Sequence, residues 1–184
     1  MSLCAVAQPC FDFQTCRDFD GKVGLWPFIE MVPAQCSSRN HERGKLEMKS
    51  VNVNKEVYLD MMLTKVIPAI VEKCPTAMKR NGIILQQDNA TPHQLFHNTN
   101  VAVQQVLEEL QLRLDIRNQP ANSPDLNVLD LGFFNSLQSL QLKHHTKTTE
   151  ELVEIMEKVF AESLARNWTM FSNSDGCDEQ DNQM

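Results

Sequence analysis

The chain has 184 residues, of which 42% are apolar, and this is enough for one domain with a sizeable core. No apolar run approaches the roughly 20 residues that span a bilayer. The net charge of −7, from 24 acidic and 17 basic residues, argues against a free-standing nucleic-acid binder, which usually has a basic surplus.

The first part of the chain is predicted to form strands. Residues 2–11 are rich in small and apolar side chains and predict a short strand. Because this segment lacks the positive region of a secretory signal, we expect a nuclear or cytoplasmic protein. Asp20-Gly21 signals a turn. Residues 23–32 predict a second strand, with an edge or a bulge at Pro27.

The first predicted helix begins at Lys55. Asn54 can cap it, because its side-chain oxygen can accept a hydrogen bond from a backbone N–H of the first turn. Pro68 should kink or break the helix near Ile67, because proline has no N–H to donate. Cys74-Pro75 should end it.

Residues 82–117 have the pattern of a strand, a helix and a second strand. Residues 82–88 predict a strand that begins at Gly82 and carries Ile83-Ile84-Leu85, and residues 112–117 alternate between apolar and charged side chains. Between them lies an amphipathic helix with Asn98 or Thr99 as its cap. The pattern predicts a parallel pair of strands with a right-handed crossover.

Two more helices are predicted after a Pro- and Asn-containing connection over 118–126. One runs from about 128 to 145, and Thr148 and Glu151 form a capping box for the other. The segment 172–184 is polar and acidic and is predicted to be disordered. The element order predicts an α/β fold, a mixed sheet with flanking helices.

Cysteine spacing argues against a zinc site. The six cysteines include no CxxC pair, and no histidine lies at zinc-finger spacing from them. In a reducing compartment they are expected to be free thiols.

Two acidic residues are candidates for chemistry. Asp88 follows the strand 82–88, and ligands of α/β sheets gather at the carboxyl ends of strands. The structural alternative is an Asx turn, which is favoured for an isolated Asp-Asn pair. Asp130 lies three residues after Asn127; if Asn127 caps a helix, Asp130 meets the positive helix end, which by itself explains the residue.

His93 and the basic residues of segment 37–49 each have a functional and a purely structural interpretation. His93 could donate to a substrate phosphate, although a histidine after such a turn more often satisfies a nearby carbonyl. The basic residues of segment 37–49 could follow a DNA backbone, although a solvated loop is the simpler interpretation.

The two acidic motifs together resemble the catalytic domain of mariner-like DDE/D transposases. The resemblance rests on Gln86-Gln87-Asp88-Asn89-Ala90, on His93, and on Ser123-Pro124-Asp125-Leu126-Asn127 with Asp130 behind it. It implies a ribonuclease H-like domain over 1–171, followed by the acidic tail 172–184. It also implies that Asp88 and Asp130 are catalytic residues and ligands of Mg²⁺ or Mn²⁺. DNA at transposon ends would be the partner, and a homodimer is compatible with the family.

The chain departs from the family at its N-terminus. The family's first catalytic Asp lies on a strand upstream of the one that Leu3–Ala7 resembles, so we expect an N-terminally truncated domain without its first strand. The ancestral activity is metal-dependent DNA strand cleavage and transfer, and we expect this chain to be inactive alone, with weak binding of a single metal ion. One alternative is a non-catalytic nucleic-acid-binding or protein-interaction remnant. Another is an α/β domain whose motifs are only turns and caps.

Overall fold

The computed structural model of this chain describes residues 2–34, 43–120 and 148–171, together with positions 129, 134, 135, 138 and 139. In the last helix the side chains are described as far as Ala161. Within this part of the chain, no helix is long and apolar enough to cross a membrane.

The described strands form four separate two-stranded sheets. The strands are β1 (Ser2–Val6), β2 (Cys10–Asp12), β3 (Arg17–Phe19), β4 (Lys22–Pro27), β5 (Ile29–Pro33), β6 (Leu46–Ser50), β7 (Ile83–Gln87) and β8 (Leu114–Asn118). β1 pairs with β4, β2 with β3 and β5 with β6, all antiparallel, and β7 pairs with β8 in parallel. The α/β class is therefore confirmed, whereas the described strands do not join into the single mixed sheet that was predicted. Strand pairing is a long-range choice, which local alternation does not fix.

Helices fill most of the middle of the chain and its described C-terminal part. They are α1 (Lys55–Met61), a π-helical turn (Met62–Val66), α2 (Ile67–Lys73), α3 (Thr76–Asn81), a 3₁₀ helix (Thr91–Leu95), α4 (Val101–Glu109) and α5 (Thr149–Phe171). Thr148 takes the predicted role in the α5 capping box, since its Oγ1 accepts from Glu151 N at 3.2 Å. The helix predicted over 128–145 lies almost wholly outside the described residues, and the tail 172–184 lies outside them entirely.

The helix that begins at Lys55 continues through Pro68, so the predicted break near Ile67 does not occur. Asn54 caps it as predicted, with Oδ1 accepting from Val57 N at 2.8 Å. One turn before the proline the helix widens, and Ile67 N donates to Met62 O, five residues back. A proline ring would clash with the carbonyl four residues before it, and a π-turn gives that ring room. The helix ends after Lys73, as the Cys74-Pro75 pair predicts.

Residues 83–118 form the predicted parallel strand–helix–strand unit. Ile83 lies opposite Leu114 and Gln87 lies opposite Asn118, with α4 as the crossover. The α4 cap, however, is Asn100, whose Oδ1 accepts from Ala102 N at 2.9 Å, and not Asn98 or Thr99.

Asn98 has a different role, because it covers an edge of β8. Its Oδ1 accepts from Ile116 N at 2.8 Å, and its Nδ2 donates to Ile116 O at 3.2 Å and to Asp115 Oδ1 at 2.8 Å. The Asn98 side-chain amide thereby pairs with the Ile116 main chain as a neighbouring strand would. It does so along the edge of β8 that faces away from β7. Hydrogen bonds from Arg117 and Asn98 lower the pKa of Asp115.

Two groups of buried apolar side chains hold these elements together. The larger one joins β4, the helices of residues 55–73, α4 and β8, and its most deeply buried members are Phe96, Ile67, Val66 and Val103. The smaller one joins β1 to α5 through Cys4, Met156 and Val159. Burial raises the pKa of the Cys4 thiol to about 12, which makes it unreactive at neutral pH. The other described cysteines, 10, 16 and 74, are free thiols, as predicted.

Candidate functional site

Polar side chains from four elements meet at the carboxyl ends of β7 and β8. Gln87 ends β7, Asn118 ends β8, Tyr58 comes from α1 and His93 comes from the 3₁₀ helix; Asp88 directly follows β7. We call these five residues the strand-end cluster. The carboxyl ends of parallel strands meet at one edge of a sheet, which is where α/β folds place their ligands.

Gln87 is the centre of the cluster. It is 8% exposed and is the one buried amide or charged side chain within the described part of the chain. Its Nε2 donates to Phe96 O at 3.0 Å and to Asn118 Oδ1 at 2.9 Å, and its Oε1 accepts from the Tyr58 hydroxyl at 3.3 Å. Both ends of the amide are therefore satisfied, as burial requires.

Asp88 presents a half-exposed carboxylate whose two oxygens differ. Oδ1 accepts from Ala90 N at 2.9 Å, so the Asx turn offered as a structural alternative is present. The same oxygen lies 2.6 Å from His93 Nδ1. Oδ2 accepts no hydrogen bond from any residue that the structure describes. One oxygen is thus held in place, while the other has no hydrogen-bond donor in the described part of the chain.

His93 is oriented by two neighbours. Its Nδ1 lies at hydrogen-bond distance, 3.2 Å, from Asp88 O. The shorter contact with Oδ1 places the imidazole beside the carboxylate. The imidazole lies on the Tyr58 ring, with 4.0 Å between centroids and 30° between planes. The expected carbonyl contact exists, and the structure adds the carboxylate contact, which the sequence did not predict.

Tyr58 closes the cluster from the core side. It is 3% exposed, and burial, with a smaller contribution from the Asp88 charge, raises its pKa. The sequence does not predict this residue as part of the site, because its position on α1 becomes relevant only when α1 packs against the 3₁₀ helix. The roles of Gln87 and Asn118 were not predicted either, although both stand at strand ends.

Tyr58 should resist ionisation until the protein unfolds. A raised folded-state pKa means that the neutral phenol stabilises the fold below the ordinary value of 10.0, and that this contribution is lost as the pH rises further. Because the chain has one tyrosine, an alkaline absorbance titration reads Tyr58 alone. Phenolate should appear together with the loss of circular dichroism, whereas the chain in urea should titrate near its ordinary pKa. Phenolate at the ordinary pKa with native dichroism would contradict this burial.

Within the strand-end cluster, Asp88 is the possible ligand for a divalent cation. Its side chain is 49% exposed, and carboxylate oxygen is the type of donor that Mg²⁺ and Mn²⁺ bind. Within the described part of the chain, no three His, Cys, Asp or Glu side chains group closely enough to hold a metal ion. Asp130, the second predicted ligand, lies outside the described residues, as do Asp125 and Asn127. The structure therefore brings His93 to Asp88 and leaves the pairing of Asp88 with Asp130 as a prediction.

Comparison of the chain with protein-family models, with curated proteins and with solved structures finds no match. Any inference about the function of this chain therefore rests on the strand-end cluster and on the two acidic motifs.

Proposed function

We propose that this chain derives from the catalytic domain of a mariner-like DDE/D transposase and that Asp88 and Asp130 are its divalent-cation ligands. The observation that carries the proposal is the Asp88 carboxylate at the end of β7. Its Oδ1 accepts from Ala90 N and lies beside His93 Nδ1, and its Oδ2 accepts no hydrogen bond from the described residues. The ancestral substrate would be DNA at transposon ends, and the ancestral reaction would be strand cleavage and transfer.

The surroundings of Asp88 suit a metal ligand. Carboxylates that bind metals are commonly oriented by hydrogen bonds to the oxygen that does not bind, and these partners contribute to affinity. The Ala90 amide supplies such a bond to Oδ1, and His93 Nδ1 lies 2.6 Å from the same oxygen. Gln87 anchors the strand end behind them. A bound Mg²⁺ or Mn²⁺ would supply Lewis-acid stabilisation of phosphodiester oxygens.

The element order also supports the proposal. An antiparallel pair, β1 and β4, precedes the helices of residues 55–73, and the parallel pair β7 and β8 follows with its crossover helix. A ribonuclease H-like domain, which the sequence resembles, is expected to have antiparallel strands first, then a helix, then parallel strands. The described elements follow the same order.

We expect Mn²⁺ to bind weakly and Mg²⁺ to bind more weakly still. Two carboxylates supply few of the six oxygen ligands of these cations, and Mg²⁺ demands strict geometry and gives up water reluctantly. Manganese binding can be followed by paramagnetic broadening of the His93 ring signals, since His93 Nδ1 lies next to Asp88. A His93→Gln variant assigns those signals among the five histidines.

Matched variants test whether Asp88 is the ligand. Outer-shell partners alone are worth about 10–100-fold in metal affinity, so Asp88→Asn should weaken Mn²⁺ binding by at least about tenfold. The control is Asp115→Asn, which removes an exposed carboxylate from the neighbouring strand β8 and should leave the broadening unchanged. Asp130→Asn should weaken binding as Asp88→Asn does. Equal affinity in wild type and Asp88→Asn would refute the metal assignment.

A plasmid-nicking assay in Mn²⁺ separates the proposal from its alternative. We expect little or no cleavage by this chain alone, and any cleavage should disappear in Asp88→Asn. Binding of DNA that is unaffected by Asp88→Asn and Asp130→Asn, with no cleavage and no Mn²⁺ binding, would instead favour a non-catalytic nucleic-acid-binding remnant.

A further inference from the structure

A short junction joins α3 to β7 at the end of β7 opposite to Asp88. Asn81 is the last residue of α3 and is exposed, and Gly82 follows with φ +86° and ψ 140°. Ile83, the first residue of β7, donates its N–H to Arg113 O at 2.8 Å. The junction is therefore fixed on its strand side and solvent-exposed on its helix side.

The two groups at this junction that could react with each other are both unengaged. Among the residues that the structure describes, the Asn81 amide takes part in no hydrogen bond and the Gly82 N–H has no acceptor. A Cβ built on Gly82 would meet nothing nearer than Arg113 Cβ at 3.8 Å. The ψ angle of Asn81 can therefore rotate without breaking a hydrogen bond at Gly82 N. The space beside Gly82 can also hold the five-membered ring that would form if Gly82 N bonded to Asn81 Cγ.

The geometry points to Asn81-Gly82 as a site of spontaneous covalent modification, in which the asparagine becomes isoaspartate or aspartate. Gly82 N gives up its proton and bonds to Asn81 Cγ, and the side-chain nitrogen takes up a proton and leaves as ammonia. The product is a five-membered succinimide. One water molecule then opens it, at the main-chain carbonyl to give isoaspartate or at Cγ to give aspartate. The balance is one water in and one ammonia out, with no oxidant or reductant.

Three later asparagines in the same part of the chain provide the contrast. Asn89 Nδ2 donates to Gln119 O at 2.8 Å, Asn98 pairs with Ile116, and Asn100 caps α4. Each of these amides is held by the fold, and each is followed by a residue with a Cβ that hinders attack by the backbone nitrogen. Asn81 has neither protection.

Asp20-Gly21 is a second comparison, since its Gly21 also has a positive φ, of +81°. There the carboxylate is held: Oδ1 accepts from Lys22 N at 3.0 Å and Oδ2 lies 3.2 Å from Lys22 Nζ. A Cβ on Gly21 would lie 2.2 Å from Ala7 O, so the turn is tightly packed. We expect no isoaspartate at Asp20.

Isoaspartate at position 81 would add a methylene to the main chain directly before β7. The first ladder bond, from Ile83 N to Arg113 O, lies next to the insertion, and the new negative charge would stand at the C-terminal end of α3, where it is unfavourable. The exposed isoaspartyl carboxylate is also the chemical group that isoaspartyl methyltransferases esterify with S-adenosylmethionine. An enzyme of that class is the partner that this site would recruit.

The test is to age the folded chain at mildly alkaline pH and to map amide loss by peptide mass and isoaspartate by enzymatic methyl acceptance. Asn81 should lose its amide about tenfold faster than Asn89, Asn98 and Asn100, equivalent to about 1.4 kcal/mol of activation free energy. The rate should rise with pH, because Gly82 N must be deprotonated. Asn81→Gln should keep its amide, since attack would then have to close a larger ring.

Two outcomes overturn the inference. In one, Asn81 keeps its amide in the folded chain while the same chain in urea loses it, which would show that the fold protects the junction. In the other, Asn81 reacts no faster than Asn89, which would show that neither the glycine nor the free amide matters.

Discussion

Replacing Gln87 with leucine should lower the free energy of unfolding by about 3 kcal/mol, because a buried polar group without its partner costs about 1–3 kcal/mol. Two such groups are left behind, the Tyr58 hydroxyl and the Phe96 carbonyl, both in residues that are at most 3% exposed. Asn118 Oδ1 also loses the hydrogen bond from Gln87 Nε2, but Asn118 is exposed and can accept from water instead. Leucine keeps most of the side-chain volume, so little of the loss would come from a cavity.

Urea unfolding is the measurement, and Gln105→Leu is the matched control. Gln105 lies on the exposed face of α4, where the same exchange should change stability by no more than about 0.5 kcal/mol. A double-mutant cycle with Tyr58→Phe isolates one bond and should give a coupling of at least about 0.5 kcal/mol. Equal stability of the Gln87→Leu and Gln105→Leu variants would show that Gln87 is not the centre of the cluster.

Replacing Phe96 with alanine should cost about 3–5 kcal/mol of unfolding free energy, the usual range for a buried phenylalanine. Phe96 is 0% exposed and is the largest fully buried side chain among the described residues. Its ring meets the Tyr58 ring edge-on, with 6.4 Å between centroids and 77° between planes. The substitution would therefore open a cavity directly beneath the strand-end cluster.

Phe13→Ala is the control for this prediction, because Phe13 is 83% exposed at the turn between β2 and β3. Its loss should change stability by about 0.5 kcal/mol or less, so the two variants should differ clearly in urea midpoint at unchanged slope. Similar midpoints would mean that Phe96 does not pack in the core. Metal titrations of any variant should be made where it is fully folded, so that lost stability is not mistaken for a lost ligand.

Local chemistry made part of the fold predictable. Asn54 caps the N–H of Val57, three residues later, and Pro75 disfavours a helical conformation at Cys74, so both outcomes depend on neighbours in the chain. The strand–helix–strand unit of residues 83–118 was predictable for the same reason, because its hydrophobic period changes twice within a short span.

Other features depended on partners that are distant in the chain. The hairpin of β2 and β3 was not predicted, since three-residue strands carry almost no periodic signal. Asn98 resembles a helix cap in the sequence, but β8 offers it better partners and Asn100 takes the cap. The π-helical turn before Pro68 gives the proline ring room, so the helix continues where its sequence predicts a break.

The sequence alone determined that Asp88 would stand at the carboxyl end of a strand, because a glycine followed by three branched apolar residues is a local strand signal. It did not determine what surrounds that carboxylate. Tyr58 and His93 are 35 residues apart in the chain, and only the packing of α1 against the 3₁₀ helix brings their rings together and turns Nδ1 toward Asp88. Such contacts arise from the burial of side chains from several elements at once, and no single segment encodes them.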